Sequence, residues 1–356
     1  MTAAEILTVR EEDRWRELLP PSASVFGSVE FARIQQRHAG VEPRLFTLGS
    51  PGATILHPLH LRPVRELPFA GPSADALFDA SSPPYTGPLA DTPPEPATRA
   101  AFEEALESWC ADAGVVTEFE HLHPWNARTE LLDAERIELD REIVYVDLTL
   151  EPKRLWRESL THACRKNVKR ARREGVRVRA AESEADAREL QRIYEMTMDR
   201  QKALDSYYLP ADYFISFLER LPENSRILLA EHEDRVVAAT LYLYDQTDAY
   251  SYLGGADHAY QRMRPTNAIT YEMIRWAAEQ GVQRLVLGGG YGPDDGILRF
   301  KASFSPLRAP FHVQRRVWLP HAYAELCEAW SEYYGTQPAA PDYFPLYRAV
   351  SAATRS

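Results

Sequence analysis

Six of the nine residues 165–173 are basic, namely Arg165, Lys166, Lys169, Arg170, Arg172 and Arg173, in a chain of net charge -11. Guanidinium forks and ammonium groups set this densely suit phosphate, which Arg grips with two parallel N–H bonds. On a helix Arg165, Lys169, Arg172 and Arg173 share one side, opposite Cys164, Val168 and Ala171. Like charges four residues apart repel by about a few tenths of a kcal/mol per pair. An anion across from them relieves that repulsion. Phosphate contact is therefore the favoured reading, ahead of a solvated face balanced by acidic residues elsewhere.

A second constellation lies near the C-terminus. A strand ending at Leu287 runs into Gly288, Gly289, Gly290, Tyr291, Gly292 and Pro293. Asp294 or Asp295 can then cap a short helix that carries Leu298, Phe300, Lys301 and Phe304. Strand end, glycines, helix is a common ligand position in α/β proteins. Lys301, between two aromatic neighbours, can bind a phosphate or stabilise a developing oxyanion. Asp295, Asp294 and Tyr291 are candidates for proton transfer, with no choice possible among them. The glycine run fits neither the dinucleotide nor the P-loop pattern, so it reads as a turn.

A third stretch is informative for what it lacks. An enzyme that takes its acyl group from CoA can hold the CoA pyrophosphate on N–H groups that open a helix after a strand, usually in a glycine-rich loop. Here that stretch is Tyr260-Gln261-Arg262-Met263-Arg264-Pro265-Thr266-Asn267-Ala268, without glycine. Pro265 offers no N–H to a phosphate. A donor other than CoA is the expectation.

Bulk properties narrow the class. Residues 1–150 hold 12 Lys+Arg against 25 Asp+Glu, and the rest of the chain 29 against 27. The first part should repel nucleic acid, which argues against coating of DNA or RNA and leaves one phosphate-bearing ligand at one place. Three dispersed cysteines give neither a disulfide framework nor a zinc cluster. His57 with His60 and His121 with His123 form short pairs that no sequence neighbour completes, so neither a metal nor a cofactor is expected. No apolar run reaches membrane-span length, and the N-terminus lacks a signal pattern; a cytoplasmic protein is the expectation.

The elements that must position these groups follow from periodicity. Helices are expected around Trp15–Leu19 and Phe26–Ile34, strands over 44–61, a long proline-punctuated loop over 63–96, a helix over 98–113, and strands over 115–122 and 143–148. Residues 153–174 read as one helix, with Trp156, Leu160, Cys164, Val168 and Ala171 as its apolar stripe and Gly175 as its stop. Then come a strand (176–180), helices near 184–203 and 210–221, three strands (226–231, 236–244, 249–254), a helix near 265–280, and a strand over 284–287. The short Lys301 helix, a strand over 311–318 and a terminal amphipathic helix close the chain. Strand, two helices, three strands, helix, strand, helix, strand is the order of the GNAT acyltransferase fold. The expected class is α/β with mixed sheets, as two tandem GNAT-like domains. Their expected bounds are 1–150 (acidic, acceptor side), 151–320 (opening on the basic helix), and a C-terminal helix and tail over 321–356.

These pieces together resemble the Fem family of aminoacyl-tRNA-dependent transferases and their FemAB-like relatives. The family's Arg-x-Asn-Ile/Val-x-x-Ala run ending in Gly-Val stands here as Arg165-Lys166-Asn167-Val168-Lys169-Arg170-Ala171, ending at Gly175-Val176. Its late Phe-Lys-x-x-Phe is Phe300-Lys301-Ala302-Ser303-Phe304, and its Pro-Tyr-x-Gly-Pro loop is Pro84-Tyr85-Thr86-Gly87-Pro88. The acidic Asp-x-x-Gly of many members is replaced by Leu287-Gly288-Gly289-Gly290, and residues 184–225 leave no room for a paired-helix arm.

The resemblance implies tandem GNAT-like domains with an acceptor site between them, lined by Tyr85 and Tyr252. It implies transfer of an aminoacyl group from aminoacyl-tRNA to an amine of a small molecule, a peptide or a cell-wall precursor, with the ribose hydroxyl as a possible proton relay. Lys301 then supplies the positive charge. Arg165, Lys166, Asn167, Lys169, Arg170 and Arg173, with Phe300 and Phe304, receive the phosphate-bearing substrate. The rival readings are an acyl-CoA-dependent N-acyltransferase of the same fold and a non-catalytic nucleic-acid-binding module.

Overall fold

The structure is a computed structural model and describes residues 4–50, 53–290, 292, 295–340 and 342–351. The chain forms two compact units, Met1–Asp140 with Phe311–Ser356, and Arg141–Pro310. Labels below run in chain order.

In the first unit the sheet order is β1 (Ala4–Leu7), β2 (Glu42–Ser50), β3 (Ala53–Pro63), β4 (Phe78–Ser81), β6 (Val115–Leu122), β13 (Arg308–Val317), with β5 (Leu89–Ala90) on β3. Helices α1 (Glu12–Leu18) and α2 (Val29–Ala39) follow β1. Helix α3 (Pro96–Asp112) crosses over from β4 to β6, which pair in parallel. Phe102, Leu106 and Cys110 of α3 are buried against Phe46, Ile55 and Leu59 of the sheet.

In the second unit the order is β7 (Ile137–Asp147), β12 (Arg284–Gly288), β11 (Asp248–Ala256), β10 (Arg235–Tyr244), β9 (Ser225–His232), β8 (Arg177–Ala180). Helices α6 (Glu184–Gln201) and α7 (Ala211–Arg220) follow β8, and α8 (Pro265–Glu279) crosses over to β12, parallel to β11. Each unit thus repeats one plan: a strand, two helices, a three-strand meander, a crossover helix, a parallel strand, and an antiparallel partner. Mixed α/β sheets and a tandem GNAT-like architecture are what the element order led one to expect.

Three expectations are revised. The strand over 143–148 pairs with β12 in the second unit, whereas β13 pairs with β6 in the first. The terminal helix α10 (Pro320–Tyr334) also joins the first unit, where Leu326, Trp330 and Tyr347 bury against Val64 and Val116. Each parallel strand takes its last partner from far along the chain, which periodicity cannot reveal. The proline-rich stretch 63–96 is not all loop, since it supplies β4 and β5.

Residues 153–174 are not one helix either. Helix α4 (Pro152–Arg154) passes into a π-helical turn at Leu155–Ser159, Leu160 is extended, and α5 (His162–Arg173) restarts with the Thr161 hydroxyl accepting from Cys164 N–H. The apolar stripe still reaches the core. Leu160, Cys164, Val168 and Ala171 are buried, and Trp156 packs edge-on against Tyr271. The break puts Thr161 at a cap position, where a hydroxyl meets an orphan N–H.

Candidate active site in the second unit

The glycine run after β12 is a crowded junction. A Cβ on Gly289 would stand 2.7 Å from Cδ of Arg141, and one on Gly290 would stand 2.4 Å from Oδ2 of Asp295. Residues with side chains do not fit there. Asp295 caps the following helix α9 (Gly296–Ala302), accepting from Leu298 N–H on Oδ1 and from Gly292 N–H on Oδ2. Tyr291 and Asp294 lie outside the described residues.

Helix α9 delivers Lys301 to this junction. Its Nζ donates to the Gly289 carbonyl at 2.6 Å. Burial pulls its pKa down to about 8, Asp295 pulls it back up, and Arg141 adds to the lowering. Arg141 itself donates to the Gly290 carbonyl at 3.2 Å. The Lys301 ammonium is thus held by neutral carbonyl oxygen, and near neutral pH it keeps its charge while part-desolvated. Phe300 and Phe304, its neighbours on α9, pack against each other edge to face at 5.2 Å. Phe304 is fully buried and belongs to the core, so its ring anchors α9; Phe300 is half-buried beside it.

Next to this junction the sheet opens. Strands β11 and β12 pair in parallel through residues 248–250 and 284–286, and among the described residues their register runs no further. Residues 251–256 of β11 are all partly exposed. The strand bulges where it opens: Leu241 faces Leu253 and Tyr242 faces Ser251, so Tyr252 is the extra residue. A bulge re-aims a side chain and bends its strand. Tyr252 points its hydroxyl at that of Tyr213, 2.9 Å away, with its ring against Phe217. A Cβ on Gly255 would stand 2.2 Å from Thr197 Oγ1 and 2.8 Å from the Ile193 carbonyl, so α6 lies directly on the bent strand. The adjacent glycines 254 and 255 were the sequence signal for this opening, since glycine inside a strand marks a bulge or close approach.

The basic helix reaches the same neighbourhood. Thr161 N–H donates to the Ser303 carbonyl at 2.9 Å, just past α9. Asn267 of α8 is buried with its amide 3.8 Å from Cys164 Sγ. Burial pushes the Cys164 thiol up, which suits packing and not nucleophilic attack.

The six cations do different things. Arg165 donates to the carbonyls of Arg157 (3.0 Å), Trp156 (3.4 Å) and Leu160, closing the C-terminal end of the preceding turn. That makes it a structural cap rather than the surface cation the spacing led one to expect. Arg170 lies 3.5 Å from Glu174, and Arg172 stands over the Tyr271 ring at 5.6 Å. Lys166, Lys169 and Arg173 are exposed, and their i, i+3, i+7 spacing puts them on one stripe of α5. Asn167 sits half-buried beside them.

The crossover helix α8 opens on Arg264, in the left-handed region at φ 63, with Pro265 as the first helical residue. Asn267 N–H is already bonded to the Arg264 carbonyl at 3.1 Å. No glycine cradle forms there.

Tyr85 belongs to the first unit. Its backbone is left-handed at φ 51, a strained conformation for an aromatic residue, and its ring packs between Phe26 (5.8 Å) and Phe311 (5.2 Å). No described helix is long and apolar enough to cross a membrane.

Residues 159–301 match a sequence family described as Acetyltransferase (GNAT) domain, so the second unit carries a GNAT-type acyltransferase domain. No curated protein sequence matches the chain. Among solved structures it is similar to FemX, with a TM-score of 0.68 and 12% identity over 91% of this chain and 99% of that one. It is also similar to the C-terminal domain of a proposed lysylphosphatidylglycerol synthetase from Agrobacterium fabrum (TM-score 0.56, 14% identity, 89% and 95% covered). A conserved protein of unknown function from Bacteroides thetaiotaomicron matches with a TM-score of 0.56 and 13% identity, covering 88% and 99%. At these identities the likeness is one of fold, and the fold is the Fem-type tandem GNAT arrangement.

Proposed function

We propose that this acyltransferase fold moves an aminoacyl group from aminoacyl-tRNA to the amine of a small molecule, a peptide or a cell-wall precursor. The observation that carries the reading is the start of α8. The position where a CoA pyrophosphate would rest is occupied by Arg264 and by Pro265, which has no N–H to offer. The exposed stripe Lys166, Lys169 and Arg173 supports a donor whose phosphates spread over a longer reach than one pyrophosphate. The fold it shares with FemX agrees with this.

The chemistry asks little of the protein. An aminoacyl ester is activated, so the main task is to place a neutral amine against its carbonyl. The C–N bond forms, the C–O bond to the ribose breaks, and the amine proton ends on the ribose oxygen. Lys301, its ammonium part-desolvated on the Gly289 carbonyl, sits where it can meet the oxyanion of the tetrahedral intermediate. Asp295 holds α9 in place with both oxygens, which makes it the positioning group for Lys301. Half-exposed backbone at residues 251–256 gives the acyl group a place to lie. The work is proposed to take place in the cytoplasm, where charged tRNA is found.

The test offers charged tRNA and acyl-CoA separately, each with a panel of amines, and follows amide product by mass spectrometry. Product from charged tRNA that ribonuclease abolishes is the expected result. Product from the thioester alone, insensitive to ribonuclease, would reject the proposed donor and favour the CoA-dependent rival.

A further inference from the structure

The first unit buries a cluster that the transfer chemistry does not use. His57 of β3 and Glu118 and Glu120 of β6 are each completely buried. Their ligand atoms, one nitrogen and two carboxylate oxygens, all lie within 4.8 Å of one another. His57 Nε2 is 2.7 Å from Glu118 Oε1 and 3.9 Å from Glu120 Oε2. The strands explain the convergence. Residues 118 and 120 alternate onto one face of β6, and β3 brings His57 to that face beneath α3, where its ring meets Phe102.

The remaining oxygens are held from outside. Trp318 Nε1 donates to Glu118 Oε2 at 3.1 Å, and Gln314 Nε2 donates to Glu120 Oε1 at 3.0 Å. Each carboxylate thus has one oxygen oriented by an outer N–H and the other turned toward His57. Outer donors that orient metal-binding carboxylates do this. Glu120 Oε2 has no hydrogen-bond partner, although it is fully buried. A buried carboxylate oxygen left unpaired is costly, so something positive belongs beside it.

The nearby Arg316 guanidinium lowers the pKa of both carboxylates through its charge but makes no hydrogen bond to either. Arg316 lies 4.4 Å over the Trp318 ring and 3.7 Å from Glu103, so it is shared with groups outside the cluster. With the imidazole neutral and both carboxylates ionised, as metal ligands must be, the three residues would carry two negative charges, which a divalent cation cancels. Zinc binds imidazole nitrogen and carboxylate oxygen at about 2.0–2.2 Å, which puts tetrahedral ligands roughly 3.3 Å apart. The two separations from His57, 2.7 and 3.9 Å, bracket that figure and the two carboxylate oxygens lie within 4.8 Å of each other, so local side-chain shifts seat the ion.

We propose that His57, Glu118 and Glu120 form a buried structural site for a divalent first-row metal, zinc by its donor set, that ties β3 to β6 inside the first unit. One nitrogen and two carboxylate oxygens are borderline-hard donors, which zinc shares with manganese and iron. Because the cluster has no exposed ligand atom, the ion is taken up as the unit folds, and its binding energy is folding energy.

The full chain, purified without chelator, is analysed by inductively coupled plasma mass spectrometry, then unfolded and refolded with zinc, manganese or iron(II) in separate arms. Expected is about one zinc per chain, and a thermal midpoint that rises on refolding with zinc. Glu120→Gln keeps the shape and the Gln314 contact but removes the charge, and should cut the bound metal at least tenfold. Circular dichroism checks that this variant is folded, and the wild-type stoichiometry stands as a readout even if it is not. A wild-type protein that takes up no metal in any arm would overturn the site and leave a proton shared between His57 and the two carboxylates. Unchanged metal content in folded Glu120→Gln would also overturn it, by placing the ion elsewhere. Neither readout uses turnover, so the site and the proposed reaction fail or stand separately.

Discussion

The two units share one plan and differ at one joint. In the first, the parallel pair β4 and β6 stays closed. Beyond the register that ends at Ser81 and Phe119, Ser82 N–H bonds Phe119 O, Thr86 N–H bonds His121 O, and His123 N–H bonds Thr86 O. In the second, β11 and β12 part after three residue pairs, beside a bulge and a lysine. The Pro84–Pro88 segment fills in one unit the place that stands open in the other. A repeated fold thus yields one unit whose parallel pair is closed and one whose parallel pair is open, where the acyl group is proposed to lie. Backbone that leaves its ladder must find other partners, and a substrate amide is one.

That contrast can be broken at several points, and the largest effect is expected at Lys301. Lys301→Ala should lower turnover about a hundredfold or more with circular dichroism unchanged, since an oxyanion donor in a desolvated site is worth that much. Near-wild-type rates would remove it from the chemistry. Gly290→Ala comes next. Its methyl would strike the Asp295 carboxylate, undo the cap and displace α9, so turnover should fall by about tenfold or more while donor KM changes less. An equal rise in KM alone would contradict this.

The pH profile sharpens the same point. Lys301 has a pKa depressed to about 8 by burial, so its charged form prevails below that pH and is lost above it. Turnover should decline as pH rises through about 8, in step with loss of the ammonium. A rate that keeps rising past that pH would show that the neutral amine, acting as a base, is the working form.

Smaller effects fall on α5. Replacing Lys166, Lys169 and Arg173 together by Ala should raise the donor KM several-fold at low salt, by an amount that shrinks as salt rises. A salt-independent change would assign the stripe to solvation alone. Arg165→Ala should instead cost about 1 kcal/mol of stability in urea unfolding, because exposed and part-buried carbonyls lose their donor. A pure KM effect with no loss of stability would return Arg165 to the substrate.

Much of this layout was legible in the chain. Element order in the second half announced the GNAT plan, with a vaguer match in the first, and the Cys164, Val168 and Ala171 stripe did face the core. Lys301 emerged from its motif with its helix and cap as expected, and Pro265 does stand as the first residue of α8. What stayed hidden was long-range. Nothing local says that β13 returns to β6, or that β7 leaves for β12, since strand partners are chosen by tertiary packing. The division of labour among the six cations was hidden too. One helix with six equivalent charges became a capped restart in which Arg165 serves carbonyls nine and eight residues back. His57 lacked a partner in the sequence because its carboxylates lie some sixty residues away on another strand.

The central claim is that only the second unit has a working acyl cleft. Amide hydrogen exchange with and without a non-hydrolysable aminoacyl-RNA analogue tests it most directly. New protection at residues 251–256 and 288–290, with residues 78–90 and 115–123 unchanged, is the predicted result. Protection that appears in the first unit and spares β11 would contradict it.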